Sequence, residues 1–255
     1  MKIFAIVPCM GRLHHIRRTA PPLVFGGKIE YVLSDYDCPD KTGQWVERAF
    51  PNAHVVRSVA ERQGAKSIFK KVEALNAGAR HAIELGAEYL CFLDADTIVN
   101  PGFHDWVEAN ASYGRFLCTV TNTRLHPKTA QTSGFLCVHK NHFIRAGMFD
   151  TRMVGWGGED MDMRIRLATA GGLDWRYIPL DLIEPITHND HERIRFHVTQ
   201  NRDVTNSRNL NFTVEFFKEW SGHYPKDIIN TELGKKFYEL MGIDRSRCLG
   251  YVADR

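Results

Sequence analysis

Along the first hundred residues, short apolar runs alternate with amphipathic stretches, the pattern of a parallel sheet with helices on its faces. Ile3–Val7 is continuously apolar and stopped by Pro8, as a buried strand would be. A basic, histidine-containing helical stretch follows from about Leu13 to Thr19, with Pro21-Pro22 expected to end it and Gly26-Gly27 to mark the next turn. Ile29–Leu33 reads as a second strand running into the acidic turn Ser34-Asp35-Tyr36-Asp37-Cys38-Pro39-Asp40. Trp45–Phe50 reads as a short helix and Ala53–Val59 as a third strand. The Ala-rich stretch from Ser67 to Leu85 predicts a long helix stopped by Gly86. Tyr89–Leu93 is a fourth strand that leads directly into Asp94-Ala95-Asp96.

The second half changes character. Phe103–Ala111 predicts a helix, Phe116–Thr121 and Phe135–Val138 predict strands, and His142–Ala146 predicts a short helix. A glycine-rich loop, Val154-Gly155-Trp156-Gly157-Gly158, opens onto a helix from Glu159 to about Ala170. Trp175–Ile178 is a further strand, followed by the polar run Thr187-His188-Asn189-Asp190-His191. Beyond Arg193 the pattern is helical, notably at Phe212–Trp220 and Glu232–Met241. No repeat, low-complexity tract or linker interrupts the chain, so the expectation is one α/β domain over residues 1–255. Its parts would be a nucleotide-sugar half (1–100), an acceptor half (101–192) and a helical extension (193–255).

Composition narrows the function classes. A formal charge of +3, with both signs mixed along the chain, lacks the clustered basic face of a nucleic-acid binder. The longest apolar runs are too short to span a bilayer. Met1-Lys2, five apolar residues and Pro8 do not make a signal peptide. The six cysteines form no CxxC pair, and most sit in apolar, strand-like runs where a thiol behaves as a small hydrophobe. The expected compartment is a reducing cytoplasm.

Candidate chemistry sits at particular places. The sequence contains three Asp-x-Asp triplets, Asp35/Asp37, Asp94/Asp96 and Asp160/Asp162, so the triplet alone is weak. The middle one follows a buried strand, and ligands of open α/β sheets bind at the carboxyl ends of strands. Carboxylates at alternate positions there suit Mg²⁺ or Mn²⁺ bridging a diphosphate, against the plainer alternative of a turn that ends the strand. Three glycines around Trp156 would make a loop with a stacking surface for a sugar ring. Glu159 and Asp160 follow, either as acids favoured at a helix start or as a base for a sugar hydroxyl. His188 and His191 are candidate metal ligands beside carboxylates. Lys71, on the long helix that also carries Asn76 and Arg80, and Arg12, just past the first strand, are candidate diphosphate partners, against the plainer reading of solvated surface residues.

Taken together, these segments resemble the GT-A fold glycosyltransferases over roughly residues 2–192. Val7-Pro8 to Arg12 resembles that family's opening strand and nucleotide-binding arginine. Asp35 to Asp40 is similar to the turn where an Asp meets the nucleobase, with Asp37 beside it. Lys71 stands where galactosyltransferases have an arginine, and Phe92-Leu93-Asp94-Ala95-Asp96 resembles the DXD motif. The likeness is strongest at residues 133–172, to a region shared by β-1,4-galactosyltransferases and related bacterial family-2 enzymes. Ser133-Gly134-Phe135 and Gly147-Met148-Phe149-Asp150 through Gly155-Trp156-Gly157-Gly158-Glu159-Asp160 follow its pattern closely.

That resemblance implies a GT-A fold: one Rossmann-like mixed sheet flanked by helices, with a C-terminal helical extension. It implies an inverting glycosyltransferase that uses Mn²⁺ or Mg²⁺ and a UDP-sugar, with a glycan or glycolipid hydroxyl as acceptor. Asp160, with Glu159, would serve catalysis. Pro8, Arg12, Asp35, Asp37, Lys71 and Asp94 would bind the donor. Gly134, Trp156, Gly157 and Gly158 would meet the acceptor, and Asp96, His188 and His191 would hold the metal. Met161 stands where galactosyltransferases usually have an Asp that helps bind N-acetylglucosamine, which leaves the acceptor open. Peripheral membrane association, oligomeric state, a retaining mechanism and a non-catalytic nucleotide-sugar-binding role remain open as well.

Overall fold

The computed structural model describes residues 1–64, 66–120, 132–155, 157–188 and 202–242. Its frame is a seven-stranded sheet in the order β10-β8-β9-β6-β1-β2-β3. The strands are β1 (Ile3–Cys9), β2 (Ile29–Tyr36), β3 (His54–Ser58), β6 (Tyr89–Phe92), β8 (Arg115–Cys118), β9 (Leu136–His139) and β10 (Asp174–Tyr177). Within this sheet β9 alone runs antiparallel to its neighbours. Two small antiparallel ladders complete the described β structure: β4 (Arg62–Gln63) with β5 (Lys66–Ser67), and β7 (Thr97–Val99) with β11 (Ile183–Pro185).

Strand alternation splits the core into two layers. Phe4 and Ile6 of β1 point into a layer with Val72, Leu75 and Ala79 of helix α3 (Lys71–Glu84) and with α6 (Glu159–Ala168). Ile3, Ala5, Val7 and Cys9 point the other way, against α1 (Leu13–Phe25), α2 (Thr42–Ala49) and α4 (Phe103–Asn110). A strand buried on both faces explains why Ile3–Val7 reads as a continuous apolar run. Helix α5 (Lys140–Arg145), α7 (Arg202–Ser221) and α8 (Glu232–Leu240) finish the described helices on the α6 side. No described helix is long and apolar enough to cross a membrane.

The expected GT-A-like mixed α/β sheet is present, and several boundaries move. Helix α1 does not stop at Pro21-Pro22 but continues through both to Phe25. Interior prolines cost about 3 kcal/mol or more through the lost hydrogen bond and ring clash. Here the carbonyls they orphan belong to Arg17 and Arg18, which are exposed to water. Burial of His15, Ile16, Thr19, Ala20 and Leu23 along one helical stripe offsets the rest. Helix α3 begins at Lys71 instead of Ser67, because Ser67 pairs with Arg62 in the β4–β5 hairpin. Strand β2 extends to Tyr36, carrying the first part of the acidic turn into the sheet.

One polar contact locks the two halves together. Asn76 of α3 is 2% exposed, donates to the Phe149 carbonyl (2.9 Å) and accepts from the Phe149 amide (3.1 Å). Asn76→Ala strands a buried N–H and a buried C=O, at a cost of about 2–3 kcal/mol. The expected outcome is a melting midpoint lowered by about 5–10 °C in a thermal scan. An unchanged midpoint would show that Phe149 is held by something else.

Candidate functional site

The carboxyl ends of the parallel strands form one edge of the sheet. β2 and β6 flank β1 on opposite sides there, which opens a crevice where the strand order reverses. Into it run Gly11 and Arg12 after β1, Asp37 after β2, and Asp94 and Asp96 after β6. Antiparallel β9 starts at the same edge and brings Gly134 beside Asp94. A methyl group on Gly134 would overlap the Asp94 carboxylate, so only glycine allows this approach.

Asp94 lies in the turn that connects β6 to β7, with the Thr97 amide on its carbonyl at 3.0 Å. The turn reading of Asp-Ala-Asp therefore holds for the backbone, while the two side chains serve different partners. Asp94 Oδ1 is 2.6 Å from Lys71 Nζ, which is also 2.8 Å from Glu159 Oε1. Burial works against the Lys71 ammonium, yet Asp94, Glu159 and Asp160 outweigh it and hold its pKa well above the usual lysine value. Burial, reinforced by Asp96, pushes the Asp94 carboxyl up despite Lys71. Lys71, Asp94, Gly134, Glu159 and Asp160 line a single concavity, floored by Leu75, Leu136 and Phe149.

Asp96 turns toward His188, with Oδ2 2.6 Å from Nε2. Strand β11 makes this meeting possible: Pro185 pairs with Thr97, and the Ile186 amide donates to the Asp96 carbonyl at 2.7 Å. Burial opposes the charge on Asp96, but the His188 hydrogen bond and nearby cations bring its pKa below the ordinary value. The His15 ring packs at a tilt against that of His188, 5.4 Å between centroids. No group of three metal-ligating side chains occurs among the described residues. One carboxylate and one imidazole nevertheless suit a divalent cation that takes its remaining ligands from a diphosphate and water. His191 lies outside the described residues.

Glu159 and Asp160 form the first turn of α6, entered through Gly158 at φ 95°. That backbone angle excludes ordinary side chains, and a methyl there would lie 2.9 Å from Asn209 Cβ. Asn209 Nδ2 of α7 donates to the Gly157 carbonyl at 2.7 Å, so the helical extension braces the loop. Trp156 lies outside the described residues. Asp160 is 8% exposed and caps its own helix through the Met161 amide (2.9 Å). The third acid, Asp162, is structural: it binds Arg166 Nε at 2.8 Å and accepts from the Thr213 hydroxyl at 3.2 Å.

The donor-side residues divide by role. Asp35 is buried and accepts from the amides of Cys38 (2.8 Å) and Gly43 (3.0 Å), which makes it the clamp of the acidic turn. Asp37, at φ 51°, pairs with Arg62 of the hairpin at 3.0 Å. Asp40 accepts from the Leu13 amide (2.8 Å), tying that turn to the start of α1, where Arg12 is the N-cap. Pro8 is inside β1, paired with Ser34. Asn76 and Arg164 carry weight that the sequence pattern did not reveal. Arg164 and Arg166 lie on α6, all of which except Met161 is buried.

Residues 114–192 match the family described as the N-terminal domain of galactosyltransferase. No curated protein sequence matches the chain. Among solved structures, TarS of S. aureus (residues 1–349) aligns at a TM-score of 0.51 and 13% identity, over 91% of this chain and 75% of that one. TarS has also been solved with UDP. The catalytic domain of Drosophila β1,4-galactosyltransferase 7 with xylobiose aligns at 0.53 and 16% identity, over 83% and 79%. A mutant of that enzyme is known with manganese, UDP-Gal and xylobiose. GalNAc-T7 with UDP, GalNAc and Mn²⁺ aligns at 0.53 and 14% identity, over 99% and 56%. The chain has the fold of the GT-A glycosyltransferases, and the segment bearing Glu159 and Asp160 matches the galactosyltransferase family model.

Proposed function

We propose that this chain is an inverting, metal-dependent glycosyltransferase that moves a sugar from a UDP-sugar to a hydroxyl of a glycan or glycolipid. The observation that carries the reading is the concavity shared by Lys71, Asp94, Gly134, Glu159 and Asp160, with Asp96 and His188 on the other side of the same turn. A divalent cation held by Asp96 and His188 would supply Lewis-acid stabilisation of the departing nucleotide. His191 is the alternative imidazole.

Each side chain then has a task. Glu159 is spoken for by Lys71, which leaves Asp160 to take the acceptor proton. Attack from the face opposite the leaving group inverts the anomeric centre. Lys71 neutralises charge next to the donor while orienting Asp94. Arg12, at the mouth of the crevice, faces the diphosphate, and Asp35 and Asp37 shape the nucleobase end. Gly157 and Gly158, with Trp156, form the acceptor platform, and a loop that closes there keeps water from the donor. The relatives solved with UDP, manganese and sugars support a donor and metal of this type.

Asp160→Asn is expected to retain UDP binding by calorimetry while transfer falls at least 100-fold; an unchanged rate would sink the assignment of the base. Asp96→Ala should abolish stimulation by Mn²⁺ and weaken UDP binding together, measured by metal titration of both. Product anomers read by NMR should have the configuration opposite to the donor's, and retention would overturn the inverting assignment.

Lys71→Met leaves Asp94 and Glu159 without their cation, which should cost about 2 kcal/mol at pH 7 after allowing for partial exposure. The sign with pH follows from the shifts. The raised Lys71 pKa keeps the ammonium's contribution full through neutral pH, to be lost only as pH rises through that higher value. Acidification protonates the carboxyls, Asp94 early because burial raises it, so the gap between wild type and variant should narrow toward pH 4. Denaturant titrations across pH measure this, and a gap that widens in acid would contradict it.

A further inference from the structure

Arg164 is fully buried, on the same helix as Asp160 and one turn further along. Among the described residues its four hydrogen bonds all go to uncharged groups. Nη1 donates to the Thr119 carbonyl (3.1 Å), and Nη2 to the Thr119 hydroxyl (3.1 Å) and to the carbonyls of Ser133 and Phe135. Nε is buried without a hydrogen-bond partner among the described residues. A desolvated guanidinium bonded to no carboxylate is an expensive way to fill space, and its neighbours Met163, Ile165 and Leu167 show that the helix fills space with apolar side chains.

What the guanidinium grips explains the expense. Ser133 and Phe135 bracket Gly134, the residue laid against the Asp94 carboxylate. The Thr119 hydroxyl in turn donates to the Thr132 carbonyl at 3.1 Å, so the end of β8 and the approach to β9 are drawn to one point. The contacts close a circuit. From α6, Arg164 holds the flanks of Gly134, Gly134 abuts Asp94, Asp94 binds Lys71, and Lys71 returns to Glu159 at the start of α6. Asp160 lies on α6 between the two fastening points.

We infer that Arg164 is a positioning residue that sets the distance between Asp160 and the Asp94 side of the crevice by fixing the Gly134 wall. This rests on the reading of Asp160 as the base, and it adds a residue that touches neither donor nor acceptor. Misplacing reacting groups by about 1 Å can cost roughly 100-fold in rate. A residue that only supported stability would change the melting point and leave the turnover of folded enzyme alone.

The test compares Arg164→Met, of similar length and no charge, and Arg164→Lys with wild type at a temperature where circular dichroism shows all three folded. The expected result for Arg164→Met is a kcat for transfer reduced tenfold or more, UDP affinity within threefold of wild type, and more donor hydrolysis per transfer. Arg164→Lys should recover part of the kcat. A folded Arg164→Met with transfer within threefold of wild type would overturn the inference. If Arg164→Met does not fold, Thr119→Val removes the hydroxyl link and should still lower kcat at least threefold; unchanged kcat there overturns it too. Hydrogen exchange separates this inference from the functional reading. Even if wild type transfers no sugar, Arg164→Met or Thr119→Val should speed exchange at the Gly134 and Phe135 amides at least tenfold with α3 unchanged, and equal protection overturns the positioning role.

Discussion

The rest of the site depends on one ammonium group held between two carboxylates. Lys71 starts the helix that packs under β1 and β2, Asp94 lies in the turn after the central strand, and Glu159 opens α6. Each of these groups alone would be costly to keep charged where water is sparse, and together they are stable only in one arrangement. The two halves of the chain, far apart in sequence, therefore meet in a fixed register. Asn76, further along the same helix, repeats the fastening in neutral form through Phe149.

From that fixed point the acids take separate roles without needing separate chemistry. Asp94 faces Lys71 and Asp96 faces His188, although they are two residues apart, because the backbone turns between β6 and β7 and β11 folds back alongside. Glu159 and Asp160 are adjacent, yet only Glu159 reaches Lys71. Asp162, one helical position beyond Met161, faces Arg166 and the helical extension instead. A run of similar carboxylates thus becomes a salt-bridge partner, a side chain lining the crevice and a structural anchor through the direction of each side chain on its helix or turn.

Much of this was legible in the amino-acid order. The apolar run of β1, the strand leading into Asp94-Ala95-Asp96 and the glycines before Glu159 all have local causes, and local causes leave local patterns. The prolines of α1 misled because a stripe of buried side chains outweighs the local preference to stop. Ser67 misled because a two-residue hairpin carries almost no sequence signal. The burial of Arg164 and Arg166 left no signal in the sequence, because α7 and α8, which pack on that side, come from far along the chain.

The sequence by itself determined the alternation of strands and helices and the placement of acids at strand and helix ends. These follow from periodicity, turn chemistry and steric limits within a few residues. Only the tertiary structure decided which acid meets which base: Lys71 with Asp94 and Glu159, Asp96 with His188, Asp162 with Arg166. It also decided that Asp35 would clamp a turn and that Arg164 would be buried against carbonyls. The reason is physical: the strength of a charged contact depends on its separation and on the water excluded around it, and the long-range packing of the sheet edge sets both.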